Sequence, residues 1–268
     1  MTNSLVEKPE HLKFFEEHPK GKEQEDTRTD PLDGHARIEQ LWTTPFMEVD
    51  ITLPDAIRYD LINVLHKKEQ SLQEIRDENP QFYSIVDSKG FYATTHYNLF
   101  ANPQEYPEKD TILEFEKIST KLIRYYIRKG WGIQQADELE LEGRCFGNIQ
   151  QPGARTYPHY HQDVNGVLVH YLSMGEGNLT DNVMKDSEIS PRHPTHNVLF
   201  QDPRPAISYP YWQKIHAVTP RVGLTLIHPN YLWHETNPWL GQGERSCIVV
   251  NFRIVSHGYN ELIKPFRF

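Results

Sequence analysis

The chain has 268 residues, a formal charge of -9 and an isoelectric point near 5.9, so neither a nucleic-acid surface nor an anionic membrane, both of which favour Lys and Arg, is its expected partner. Its two cysteines, Cys145 and Cys247, make no disulfide framework and no metal-type pair, and no apolar run reaches the roughly 18 residues of a membrane span. With a polar, acidic N-terminus unlike a signal peptide, a cytoplasmic protein is expected, with one sizeable core.

In chain order, residues 1–36 are dense in Glu, Lys, Asp and Pro and predict a solvated arm, with a short helix around His11 to Glu17 as the alternative. A single domain is expected over residues 37–268. Leu41 to Ile51 alternates and carries Pro45, as an edge strand does. Pro54 and Asp55 then open a helix whose apolar positions Ile57, Leu61, Val64, Leu65, Leu72 and Ile75 recur at helical spacing until Asn79-Pro80 stops it. Residues 81–104, with turns marked by Gly90 and Pro103, predict loop with a short strand as the alternative. A second helix carries the stripe Ile112, Phe115, Ile118, Leu122, Tyr125 and Tyr126 and ends at Lys129-Gly130.

Beyond Gly132 the texture turns to strand. Leu139, Leu141, Gly143, Cys145, Gly147 and Ile149 share one alternating register, Gln151-Pro152-Gly153 predicts a hairpin turn, and Val167 to Leu172 make the strand after it. From Ser173 to Pro220 the chain is rich in loop and proline, with a strand at Asn197 to Phe200 and aromatic residues Tyr209, Tyr211 and Trp212 near its end. A lid over a site and a plain insertion both fit that composition. Gly223 to His228 and Arg245 to Val255 are two further strands. Helices in front and short strands behind imply a mainly β, α+β fold, a jelly roll buttressed by N-terminal helices.

The chemistry concentrates in Tyr157-Pro158-His159-Tyr160-His161-Gln162-Asp163, in Trp233-His234 and in Arg245. On a strand, His161 and Asp163 project from one face, and His234 adds a second imidazole, giving two histidines and one carboxylate on one side of a metal. His159 shares that strand face, so a three-histidine site of His159, His161 and His234, as in some cupins or zinc enzymes, is the competing arrangement. Arg245 offers a planar fork suited to a carboxylate, and it shares a strand face with Cys247, Val249 and Asn251. An ordinary structural carboxylate could equally be its partner. His170, His193, His196, His216 and His228 are expected as surface or hydrogen-bonded core histidines, and Trp233 and Trp239 as walls that keep water from the metal.

The ordered set His161-x-Asp163, His234, Arg245 resembles the double-stranded β-helix family of 2-oxoglutarate- and Fe(II)-dependent oxygenases, in particular its prolyl-hydroxylase-like branch from bacteria and phages. Further phrases carry the resemblance from Leu41 to about Ile254: Gly147-Asn148-Ile149, Val169-His170-Tyr171-Leu172, Asp202-Pro203-Arg204, Thr219-Pro220-Arg221-Val222-Gly223, His228-Pro229 and Asn251. The resemblance implies Fe(II) held by His161, Asp163 and His234, with 2-oxoglutarate and O2 as co-substrates and Arg245 on the 2-oxoglutarate carboxylate. Asn148, Tyr160 and Cys247 are further candidate co-substrate contacts, although Tyr160 falls on the opposite strand face from the ligands. Cys247 stands where the family often has a serine, and His228 where it often has a phenylalanine. The carboxylate of Asp163 implies hydroxylation rather than the halogenase variant, in which a small residue vacates that position for chloride. The implied reaction is hydroxylation of an unactivated C–H bond of an amino acid, peptide or small metabolite, with release of succinate and CO2. A cupin-like metal enzyme that does not use 2-oxoglutarate and a non-catalytic jelly-roll binding protein are the alternatives.

Overall fold

A computed structural model describes residues 43–78, 97–176, 197–204 and 214–255, and from Thr44 onward these belong to one compact unit. Helix α1 (Asp55–Glu78) opens with Asp55 in its first turn, where a negative charge meets the positive end of the helix dipole. It buries Leu61, Val64 and Leu65. Helix α2 (Lys109–Gly130) buries Ile112, Phe115, Ser119, Ile123, Tyr126 and Ile127, one face at helical spacing. The stripe differs from the predicted one at its end: Ile118 and Leu122 flank it and Tyr125 is exposed, because the buried row drifts round to Ile123 and Ile127. The helix also runs through Gly130. The left-handed residue that follows its end is Gly132, at φ 73°, a conformation that costs glycine nothing.

Strands β1 (Met47–Asp50), β2 (Leu141–Gln150), β3 (Gly166–Glu176), β6 (Leu224–Pro229) and β8 (Gln242–Ile254) form an antiparallel sheet in the order β1-β6-β3-β8-β2. A smaller antiparallel sheet has the order β5-β4-β7, from β4 (Val198–Gln201), β5 (Ile215–Val218) and β7 (His234–Thr236). The predicted edge strand is therefore at an edge, as β1. Both faces of the larger sheet are buried, and the alternation of each strand divides its residues between two cores. Leu168, Leu172, Ile227, Ile248, Val250 and Phe252 pack with the helices. Val167, Tyr171, Leu224, Leu226, Cys247 and Val249 turn the other way, to Val198, Phe200 and Val218 of the smaller sheet.

The turn at Gln151-Pro152-Gly153 does not begin a hairpin with β2, whose partner throughout is β8. Residues 154–161 instead run extended beside residues 230–239. Trp239 N–H donates to Ala154 O at 2.8 Å, Thr236 N–H to Thr156 O at 3.0 Å and His161 N–H to Asn230 O at 3.0 Å. The predicted arm over residues 1–36 and most of the 173–220 segment, including Tyr209, Tyr211 and Trp212, lie outside the described residues.

Two positions test this packing. A Cβ on Gly147 would run into the side chain of Leu65, so the missing side chain is what lets α1 lie against β2. Gly147→Ala should cost about 1–3 kcal/mol of unfolding free energy, measured by urea denaturation. His170 is buried, with Nδ1 2.8 Å from Thr225 Oγ1, and burial pushes its pKa down from 6.5 to about 4. Only the unfolded chain then takes up this proton between those values, so the contribution of His170 is intact above pH 6.5 and lost as the pH falls to about 4. The unfolding free energy of His170→Gln should fall less steeply with acidification across that window than that of the unsubstituted protein.

Candidate metal centre

His159, His161 and His234 converge: one ligand nitrogen from each can be chosen so that all lie within 4.8 Å of one another. The convergence starts in the backbone. His159 N–H donates to His234 O at 3.0 Å and His234 N–H to His159 O at 2.9 Å, a bridge that sets the two residues side by side. Their ring centroids are 4.3 Å apart, and the His161 ring stacks parallel to that of His234 at 5.2 Å.

Two of the three rings are fixed in the same tautomer. Nδ1 of His159 is 2.9 Å from the carbonyl oxygen of Tyr157, and Nδ1 of His234 is 2.9 Å from that of Leu232. A carbonyl only accepts, so Nδ1 carries the hydrogen and Nε2 keeps the lone pair that a metal needs. Burial lowers the pKa of all three, that of His161 to about 3, with the neighbouring imidazoles adding to the effect on His161 and His234. All three are thus neutral donors at physiological pH. Three neutral imidazoles on one side, with the other side open to a cavity, fit a divalent transition metal such as Fe(II), which imidazole ligands suit.

That cavity lies between the two sheets. Phe146, Val169, Val198, Phe200, Leu226 and Val249 make its apolar walls, and Asn148, Tyr171, Cys247, His228, Thr156 and Thr236 also line it. Arg245 on β8 is buried at the register position opposite Gln150. Its Nε donates to Gln150 Oε1 at 2.8 Å, its Nη2 bonds the same oxygen, and its guanidinium lies 5.6 Å from the Trp239 ring centroid. Gln150 Nε2 in turn donates to Thr156 Oγ1 at 2.9 Å and Thr236 Oγ1 at 3.3 Å, which ties Arg245 to the cavity lining.

Residues 144–251, the segment that carries these side chains, match the model of a family described as "Putative 2OG-Fe(II) oxygenase". Over these residues the chain resembles the 2OG-Fe(II) oxygenases. The enzyme class that this match gives is a dioxygenase using Fe(II) and 2-oxoglutarate. No curated protein matches the sequence. Among solved structures, the chain is similar to a Pseudomonas putida prolyl-4-hydroxylase, with 15% identity over 80% of this chain and 95% of that one and a TM-score of 0.43. It is also similar to a Trichoplax adhaerens prolyl hydroxylase in complex with a hypoxia inducible factor peptide fragment, with 10% identity, 83% and 89% coverage and a TM-score of 0.46. A third likeness is to HygX from Streptomyces hygroscopicus with nickel and 2-oxoglutarate bound, with 12% identity, 80% and 84% coverage and a TM-score of 0.40.

Within the oxygenase the predicted site residues divide. His161 and His234 come together, and the third member of the cluster is His159, where the sequence reading put Asp163. The same-face argument for Asp163 fails for a structural reason. No strand carries residues 161–163, and Asp163 is an exposed residue of a bend with a left-handed backbone, φ 57°, so strand alternation does not apply to it. Asn148 and Cys247 do line the cavity. Tyr160 does not: it is exposed and lies against Trp233, with ring centroids 5.0 Å apart. The two tryptophans part company in the same way. Trp239 is a buried wall beside Arg245, with its indole N–H donating to Gly243 O at 2.8 Å, whereas Trp233 faces out.

Tyr171, Thr156, Thr236 and Gln150 were not singled out as site residues from the sequence. The alternation of Val167, Val169 and Tyr171 on β3 was the signal available for the tyrosine, and no local pattern marks the other three. His170 and His216 are as expected, the first hydrogen-bonded in the core and the second exposed, 3.1 Å from Glu48. His193 and His196 lie outside the described residues. No described helix is long and apolar enough to cross a membrane.

Proposed function

We propose that this oxygenase hydroxylates an unactivated C–H bond of an amino acid, peptide or small metabolite, coupled to conversion of 2-oxoglutarate into succinate and CO2. In this reading the two sheets are the halves of a double-stranded β-helix, and His159, His161 and His234 hold Fe(II). The observation that carries it is the convergence of three neutral imidazoles on an apolar cavity whose polar lining is tied to a buried arginine.

The bound iron, with 2-oxoglutarate and O2, supplies the oxidising power. The chain's own part is binding and exclusion. Its three imidazoles would hold the ion through ring nitrogens, and the adjoining cavity would take the co-substrates. The cluster found among the described residues is three neutral imidazoles, which would leave the charge of a divalent ion intact and so favour a dianionic co-substrate. Arg245 offers the second charge for that dianion, its fork oriented by Gln150 and Trp239. Phe146, Val169, Phe200 and Leu226 keep bulk water away from the reacting carbon. The sequence-based case against halogenation rested on Asp163; in this reading His159 occupies the third protein position, and none is left vacant for chloride.

Two measurements test the reading. His159→Ala, His161→Ala and His234→Ala should each bind Fe(II) at least tenfold more weakly in anaerobic titration, while Asp163→Ala should bind as the unsubstituted protein does. Retained iron in His159→Ala together with its loss in Asp163→Ala would restore the carboxylate triad. For Arg245, a lysine keeps the charge and loses the paired donors, whose charge-assisted hydrogen bonds are worth about 1.5–3 kcal/mol. Arg245→Lys should therefore weaken 2-oxoglutarate by roughly tenfold or more with iron affinity nearly unchanged. Equal 2-oxoglutarate affinity would return Arg245 to a structural role.

A further inference from the structure

His228 is fully buried and lines the cavity, with its ring centroid 4.8 Å from that of His234 and 5.1 Å from that of Phe200. Its Nδ1 is 2.9 Å from the Pro229 carbonyl oxygen, so Nδ1 carries the hydrogen and Nε2 presents a bare lone pair. Among the described residues that Nε2 has no hydrogen-bond partner. A buried acceptor without a donor is costly, and one beside a binding cavity is most simply satisfied by what binds there.

The co-substrate cannot be that donor. Ionised 2-oxoglutarate has two carboxylates and a ketone, all acceptors. The sheet also puts Arg245 well away from His228. His228 pairs with Val167, and Val167 pairs with Asn251 across β8, so His228 is level with Asn251. Arg245 is six residues back along β8, a rise of roughly 20 Å. A dianion reaching from the imidazoles toward Arg245 therefore extends away from His228.

Resting on the oxygenase reading above, the geometry points to His228 as the residue that orients the substrate: its Nε2 accepts a hydrogen bond from an N–H or O–H group of the molecule to be oxidised. Substrates are then molecules with such a donor close to the reacting carbon, held against walls that are otherwise largely apolar. Purely apolar isosteres are rejected, because they leave the buried lone pair unsatisfied.

A matched pair of small lactams tests this: 2-pyrrolidinone has a single N–H donor, and N-methyl-2-pyrrolidinone has none. Binding is followed by NMR on protein labelled with 15N at histidine, with Zn(II) as the diamagnetic metal and 2-oxoglutarate present, and again on metal-free protein. The Zn(II) and 2-oxoglutarate affinities of the same sample report on the underlying reading, so its failure is seen separately. The expected result is that 2-pyrrolidinone shifts the Nε2 resonance of His228 and binds on the order of tenfold or more tightly than its N-methyl partner. In His228→Phe, with folding checked by circular dichroism, the two lactams should bind alike. The proposal is overturned if the unsubstituted protein does not discriminate between them, including by binding neither. It is equally overturned if His228→Phe keeps the discrimination, which would then be one of size. The Nε2 shift in the unsubstituted protein decides the matter even if the variant does not fold.

Discussion

Two backbone hydrogen bonds, one in each direction between His159 and His234, hold together residues that are far apart in the chain. The bridge is short, but it belongs to a longer antiparallel run in which residues 154–161 lie beside residues 230–239, tied at Ala154, Thr156 and His161 as well. The smaller sheet therefore extends past β7 through a segment with little regular strand of its own. This pairing fixes the register of His159 and His161 against His234, and a slip of one residue would turn the first two away from the third. The larger sheet, buried on both faces, supplies the rigid wall against which the arrangement is set.

The second constraint is electrostatic. Imidazoles this close together cannot all be protonated in a buried setting, and burial together with mutual repulsion keeps them neutral. The local chain enforces the same outcome, since His159 and His234 each donate from Nδ1 to the carbonyl two residues before them. The backbone thus presents the rings of His159 and His234 lone pair first. Near the cavity, the amide of Gln150 and the indole face of Trp239 orient the Arg245 guanidinium.

Much of the fold was legible because periodicity survives in the finished structure. The stripe from Leu61 to Leu65, the alternation through Cys145 and Ile149 and the apolar runs of β3 and β6 all mark the elements that form. The site was legible in part, and the failures share one cause. Asp163 was placed by assuming that a strand carries the His161 segment, and the chain there is a bend with a left-handed residue. The turn at Gln151-Pro152-Gly153 was also expected to lead back along β2, but β8 already occupies that position. Periodicity reports a local state and is silent about which distant segment becomes the partner. Here the partner of residues 154–161 decides which side chains meet.

His228 extends the same logic to a residue outside the three-histidine cluster. It donates from Nδ1 to a main-chain carbonyl, as His159 and His234 do, and so presents Nε2 in the same chemical form. It is not in the three-residue cluster, so its lone pair is suited to accepting a hydrogen bond where theirs suit a metal. A phenylalanine there would complete an apolar wall with Phe46 and Phe200, both already in contact with this ring. An imidazole in that place keeps the shape of an aromatic wall while adding one directional acceptor. Such a change alters which molecules are held next to the imidazole cluster and leaves the cluster itself as it was.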